Sequence, residues 1–256
     1  MNKSLKIIFG ALLIAAVTSL AWLTFVKGAN DDSTQTATPS PPKSTTSNQF
    51  SFENPKKSAH YESNTPSHGS VLAGVPVNVV IDFNFDLAAP SSISIMSNDE
   101  EYGTGDTIID DGKLSMRRRV NPLTPDGLYT VNYNACWPDG SCHDGSFQFA
   151  IDRKRAANFT NIKNQPEVTI RMTDIKFNPA NIRISKGTKV TWVNDDDVDH
   201  FVNTDSHPAH TFLPGMNSRS LANGASYSFT FNEAGFYPYH CSAHANNMSG
   251  AVLVEG

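Results

Sequence analysis

Cys241, His244 and Met248 fall within a single eight-residue stretch, and a further histidine, His200, lies forty-one residues upstream. Three donor side chains on one loop and a fourth from a distant segment require a scaffold that brings the two together and holds them. The flanking sequence supplies one. Val168–Met172, Ile182–Ile184, Lys189–Val193 and Ser226–Phe231 alternate apolar and polar residues with period two, the pattern of strands buried on one face. Pro179, Gly187, Gly224 and Gly235 punctuate them as turns, and Gly250–Val254 closes the chain. About ninety residues in about seven or eight such strands fit a β-sandwich.

Two imidazoles, one thiolate and one thioether make a trigonal His₂Cys site with a weak axial methionine, which suits copper cycling between Cu(I) and Cu(II). Zinc takes cysteine and histidine equally well, but methionine is a poor zinc ligand, so the set favours copper. On these residues the segment 167–256 resembles the cupredoxins of the plastocyanin, amicyanin and pseudoazurin type. The resemblance implies a Greek-key sandwich holding one type 1 copper, with His200, Cys241 and His244 as strong ligands and Met248 as the axial one. It also implies single-electron transfer, with His244 as the entry path. His207 and His210 flank Pro208 just downstream. They line the metal-side surface, accept a second metal ion, or sit on a solvated loop. Asp195, Asp196, Asp197 and Asp199 form an acidic patch beside His200, read either as steering for a cationic partner or as a solvated turn.

Residues 59–152 also read as β. Pro76–Phe85, Ser92–Ile95, Leu128–Tyr133 and Ser146–Ile151 are strand-like, and Pro125-Asp126-Gly127 marks a turn. The opening Ala59–Pro66, the segment Pro122–Val131 and the segment Asp139–Phe149 resemble CopC-type copper-resistance domains. That resemblance implies a second copper site, for Cu(II), at His60, Asp139 and His143, and a role in copper storage, delivery or resistance. Cys136 and Cys142 either pair as a disulfide in an oxidising compartment or join His143 around Cu(I). Pairing leaves Cys241 as the odd thiol, which metal ligation explains.

Ile7–Val26 is twenty residues without a charge, preceded by Lys3 and Lys6 and followed by Lys27, Asp31 and Asp32. Twenty helical residues cover about 30 Å, the thickness of a bilayer core. Residues 1–27 therefore read as a membrane anchor or signal peptide, with everything beyond exported. Fifteen of the thirty-one residues at 28–58 are Ser, Thr or Pro, the composition of a disordered tether. Residues 153–166 carry four basic side chains and no acidic one, whereas 59–152 carry thirteen acidic against four basic, so 153–166 reads as a linker. The formal net charge of -5 and the lack of a basic face exclude nucleic acid as a partner. No His-Cys-His sequence, serine triad order or phosphate loop is present. The expectation is an all-β, non-enzymatic copper protein. It has a CopC/Ig-like sandwich followed by a cupredoxin sandwich, is tethered to a membrane, and meets a redox or copper-transfer partner protein.

Overall fold

In the computed structural model, which describes residues 50–256, regular structure is almost wholly β. The first half contributes β1 (Tyr61–Thr65), β2 (Val71–Leu72), β3 (Asn78–Phe83), β4 (Ala88–Ser97), β5 (Glu100–Glu101), β6 (Gly103–Ile109), β7 (Ser115–Val120), β8 (Gly127–Cys136) and β9 (Cys142–Ile151). They form a five-stranded sheet of order β2-β9-β8-β4-β5 and a four-stranded sheet of order β1-β3-β7-β6. Alternation sends Ile93, Ile95, Val131, Tyr133, Phe147 and Phe149 of one sheet against Val79, Ile81, Phe83 and Met116 of the other, and all are buried in one core. Each such side chain contributes about 1.5–3 kcal/mol by leaving water. β8 and β9 end in register at the Cys136–Cys142 disulfide, so the two cysteines pair rather than share a metal with His143.

The second half contributes β10 (Thr160–Asn161), β11 (Glu167–Thr173), β12 (Lys176–Asn178), β13 (Asn181–Ser185), β14 (Lys189–Asn194), β15 (Asn203–Thr204), β16 (Ser226–Thr230), β17 (Gly235–His240) and β18 (Ser249–Glu255). The sheets have orders β10-β13-β18-β17-β15 and β12-β11-β14-β16. Ile170, Met172, Val190 and Trp192 of the second pack on Ile182, Ile184, Tyr237, Tyr239, Val252 and Val254 of the first. Trp192 is fully buried and meets Tyr239 edge-on at 5.5 Å between centroids. A side chain at Gly250 would place Cβ 2.3 Å from the Ala180 carbonyl and against the Tyr239 ring, so only glycine lets β18 pass there.

The two sandwiches are joined by packing as well as by sequence, and the described residues 50–256 lie in one compact unit. All six residues of β3 are buried. Val79, Ile81 and Phe83 face their own core, whereas Val80 and the neighbouring Val77 enter the core of the second sandwich. In return Phe236, Ala251 and Leu253 enter the first core. The Phe236 N–H donates to the Val75 carbonyl at 2.7 Å, and a Cβ at Gly235 would lie 2.5 Å from Val77 Cγ1. Asn78 Nδ2 donates to the Phe212 carbonyl at 2.9 Å. The buried Asp82 carboxylate accepts from Thr211 Oγ1 at 2.6 Å and from Ser206 Oγ.

Two boundaries differ from the sequence reading. Residues 50–58 do not continue the tether. Lys56 pairs with Ser146, the Glu53 N–H donates to Gln148 Oε1 at 2.7 Å, and the Ser58 N–H donates to Tyr133 Oη at 3.1 Å. Residues 153–166 are not a free linker either. Arg153–Asn158 forms a short 3₁₀ helix capped by the Asp152 side chain, Ala156 and Phe159 join the first core, and β10 adds to the second half's sheet beside β13. In both places a few apolar side chains and free backbone groups outweigh a polar composition. Among the described residues no helix is long and apolar enough to cross a membrane. The Ile7–Val26 span and residues 28–49 of the tether lie outside the described residues.

Candidate metal centre

β17 ends at His240, and the loop to β18 carries Cys241, a single 3₁₀ turn at Ser242–His244, and Met248. The loop closes on itself. The Cys241 N–H donates to the Met248 carbonyl at 2.9 Å, and the Met248 N–H donates to the His244 carbonyl at 3.0 Å. His200 comes from the segment between β14 and β15, where it exchanges both backbone hydrogen bonds with Leu221. Cys241 Sγ lies 3.5 Å from His200 Nδ1 and 3.5 Å from His244 Nδ1. The Phe201 N–H points at the same sulfur from 3.3 Å. His200 and Cys241 are fully buried, Met248 nearly so, and His244 is partly exposed.

His200 is braced from behind. Its Nε2 donates to Asp196 Oδ2 at 2.8 Å, which leaves Nδ1 toward the sulfur without a proton. Asp196 also accepts the Asp174 N–H at 2.8 Å and the Ile175 N–H at 2.9 Å. Burial pushes its carboxyl up, but the Ile175 amide, His200 and the Asp174 amide outweigh that and hold it below the usual carboxylate range. Arg171 Nη1 donates to both carboxylate oxygens of Asp195, and Asp199 accepts from Ser220 Oγ. Three of the four acids of the patch are therefore committed to local structure. The sequence places Asp196 in the acidic patch beside His200 but does not single it out as the residue that braces the ring, because its other partners, the Asp174 and Ile175 amides, come from another segment.

Among the described residues a second group of imidazoles converges, His207, His210 and His240, with one ring nitrogen from each within 4.8 Å of the others. Burial, with His240 and His207 beside it, holds the His210 imidazole down to about 4, so it is neutral at neutral pH. His240 was not singled out from the sequence, although it directly precedes Cys241. The CopC-type positions do not converge in this way. His60 Nδ1 contacts Asn84 Oδ1 at 3.0 Å and its ring stacks on Phe85. Asp139 accepts from the Ser141 hydroxyl and amide, which together hold its carboxyl low. His60, Asp139 and His143 are not among the described groups whose donor atoms meet.

The model of copper-binding proteins of the plastocyanin/azurin family matches residues 164–255. A plastocyanin of Scenedesmus fuscus is 32% identical over 84 residues, covering 31% of this chain and 86% of the relative. The chain belongs to the plastocyanin/azurin family. Amicyanin-alpha of Methylorubrum extorquens is 33% identical, the match covering 34% of this chain and 70% of that protein. Amicyanin of Paracoccus denitrificans is 30% identical over 94 residues, 34% of this chain, and the match spans 65% of its own length. A purple cupredoxin of known structure from Nitrosopumilus maritimus is 30% identical, with 34% of this chain and 99% of that one covered and a TM-score of 0.29. The CopC domain model matches residues 61–152. Copper is the cofactor of this two-part cupredoxin. The buried cysteine sulfur with two imidazole nitrogens at its side is the donor set that suits it.

Proposed function

We propose that the chain is an exported single-electron carrier whose cupredoxin half holds one type 1 copper on His200, Cys241, His244 and Met248. The observation that carries this reading is the pair of imidazole Nδ1 atoms, each 3.5 Å from the one buried free thiol. Copper held there would supply a one-electron Cu(I)/Cu(II) couple. The protein residues keep the donors in place: Asp196 fixes the His200 ring, the Phe201 amide contacts the Cys241 sulfur, and the β17–β18 loop is locked by its own backbone bonds. Such a frame changes little when the charge changes, which keeps the barrier to electron transfer low. His244, the one partly exposed ligand, faces a redox partner protein, and Ile7–Val26 holds the head at a membrane. No reacting group of an enzyme is required.

Titration of Cu(II) into the full-length protein tests this, with visible absorption, electron paramagnetic resonance and Cys241→Ser as control. An intense thiolate-to-copper band that vanishes in the variant supports the reading, and absence of that band refutes it. The CopC match favours a second reading, copper delivery or storage. Release of the coloured copper to a competing chelator within seconds to minutes supports delivery. Reversible redox cycling with retained metal supports electron transfer.

A further inference from the structure

We propose that His207, His210 and His240 form a second metal site, separate from the thiolate centre, that takes a divalent transition-metal ion and Cu(II) by preference. The ring centroids stand 5.5 Å apart for His207 and His210, 5.4 Å for His207 and His240, and 5.1 Å for His210 and His240. This near-equilateral triangle has a donor nitrogen from each ring within 4.8 Å of the other two. Three imidazoles are the ligand set of zinc and copper sites that keep a further position open. The partial burial of His210 and the exposure of His207 leave that position facing solvent.

The observation that points to a ligand is on His240. Its side chain is 95% buried, its Nδ1 is held by Asp205 Oδ1 at 2.9 Å, and its Nε2 is buried with no hydrogen-bond partner. An orphaned buried ring nitrogen is costly, and a metal ion relieves it. The carboxylate on the opposite nitrogen fixes the tautomer with its lone pair free, as in carboxylate–histidine–metal triads. His210 has the same kind of support, since its Nε2 meets Ser242 Oγ at 2.9 Å, and that hydroxyl is held in turn by Asn203 Nδ2 at 2.8 Å.

The loop bearing two of the ligands is built in advance. The His210 N–H donates to the Ser206 carbonyl and the Phe212 N–H to the Asp205 carbonyl, while Asn217 Nδ2 holds the His210 carbonyl at 2.8 Å. Asp82 of the first sandwich binds the hydroxyls of Ser206 and Thr211, on either side of the histidines. His240 and Cys241 are consecutive, so one peptide bond separates a ligand of this site from the thiolate of the other.

The experiment loads the full-length chain with Cu(II), removes loose metal, and counts copper per chain in four proteins: the natural sequence, Cys241→Ser, His207→Ala/His210→Ala, and the triple variant. The natural sequence is expected to keep a second, weakly coloured copper besides the blue one. Cys241→Ser keeps only that second copper, with nitrogen hyperfine structure in its resonance spectrum. His207→Ala/His210→Ala keeps the blue copper, which also proves the fold, and loses the other. The triple variant binds neither, with affinity in chelator competition lower by about a hundredfold or more. Asp205→Asn weakens the second site by about tenfold while its ligands remain. Zn(II) is expected to occupy the same site in Cys241→Ser and to be displaced by Cu(II). The proposal is overturned if the natural sequence holds the blue copper alone, if the second copper survives in the triple variant, or if His60→Ala/His143→Ala removes it instead.

Discussion

Replacing Phe236 by alanine tests whether the two sandwiches stand or fall together. Phe236 belongs to β17, in the same strand that leads into Cys241, yet its ring lies in the core of the first sandwich, facing Phe159 at 6.3 Å. It is 8% exposed. Burying about 150 Å² of aromatic surface at about 25 cal/mol per Å² contributes roughly 4 kcal/mol, and partial collapse of the resulting cavity sets the expected loss at about 3–5 kcal/mol. In a unit of this size that lowers Tm by about 10 °C. The natural chain is expected to melt in one transition, seen alike by near-ultraviolet dichroism and by the thiolate-to-copper band. In the variant, amide exchange is expected to quicken in β3 and β18 together. A loss below about 1 kcal/mol, or exchange that quickens in one sandwich alone, would refute the reasoning that the shared core makes them one cooperative structure.

Asp196→Asn keeps a hydrogen-bond acceptor behind His200 but removes a negative charge. It is expected to leave the blue band in place and raise the reduction potential by some tens of millivolts, about 1 kcal/mol of charge interaction at intermediate dielectric, as read by voltammetry. Gly250→Ala forces Cβ into the Ala180 carbonyl and is expected to cost about 1–3 kcal/mol and to broaden the blue band, measured by urea unfolding and absorption. Glu255 is paired with Lys163 and Arg183. Burial pushes its carboxyl up, but the two cations outweigh this and hold it below its ordinary value. A lowered folded-state value means that stability is present above the unfolded pKa and is lost as pH falls through the folded one. Glu255→Gln is therefore expected to cost about 0.5–1 kcal/mol at pH 7, with the difference vanishing under acid conditions, in denaturant titrations at both pH values.

The strands of the second half were legible because each is wetted on one side. β14 alternates strictly between partly buried and buried positions, and the eye finds Val190 and Trp192 at once. The donors His200, Cys241, His244 and Met248 were legible because their chemical types are uncommon together. β3 was legible as a strand but not as a strand covered on both faces, since the residues that cover it lie far along the chain. Residues 50–58 and 153–166 were misread because composition and charge averaged away the few side chains, such as Ala156 and Phe159, that decide their fate. Asp196 and His240 were hidden for a related reason. One lay in a run of acids, and the other stood beside a more conspicuous cysteine.

The double covering of β3 has a consequence for how the protein is made. Asn78 finds its partner at Phe212, 134 residues later, and Phe236 and Leu253 arrive later still. While the ribosome is still adding those residues, the first half is already long enough to fold, with Val77 and Val80 uncovered and the Asp82 carboxylate holding the Ser63 hydroxyl but not yet those of Ser206 and Thr211. The nascent chain thus carries an uncovered seam until the segment from Phe212 to Leu253 has been made, and the rate at which that segment emerges governs how long the seam stays open.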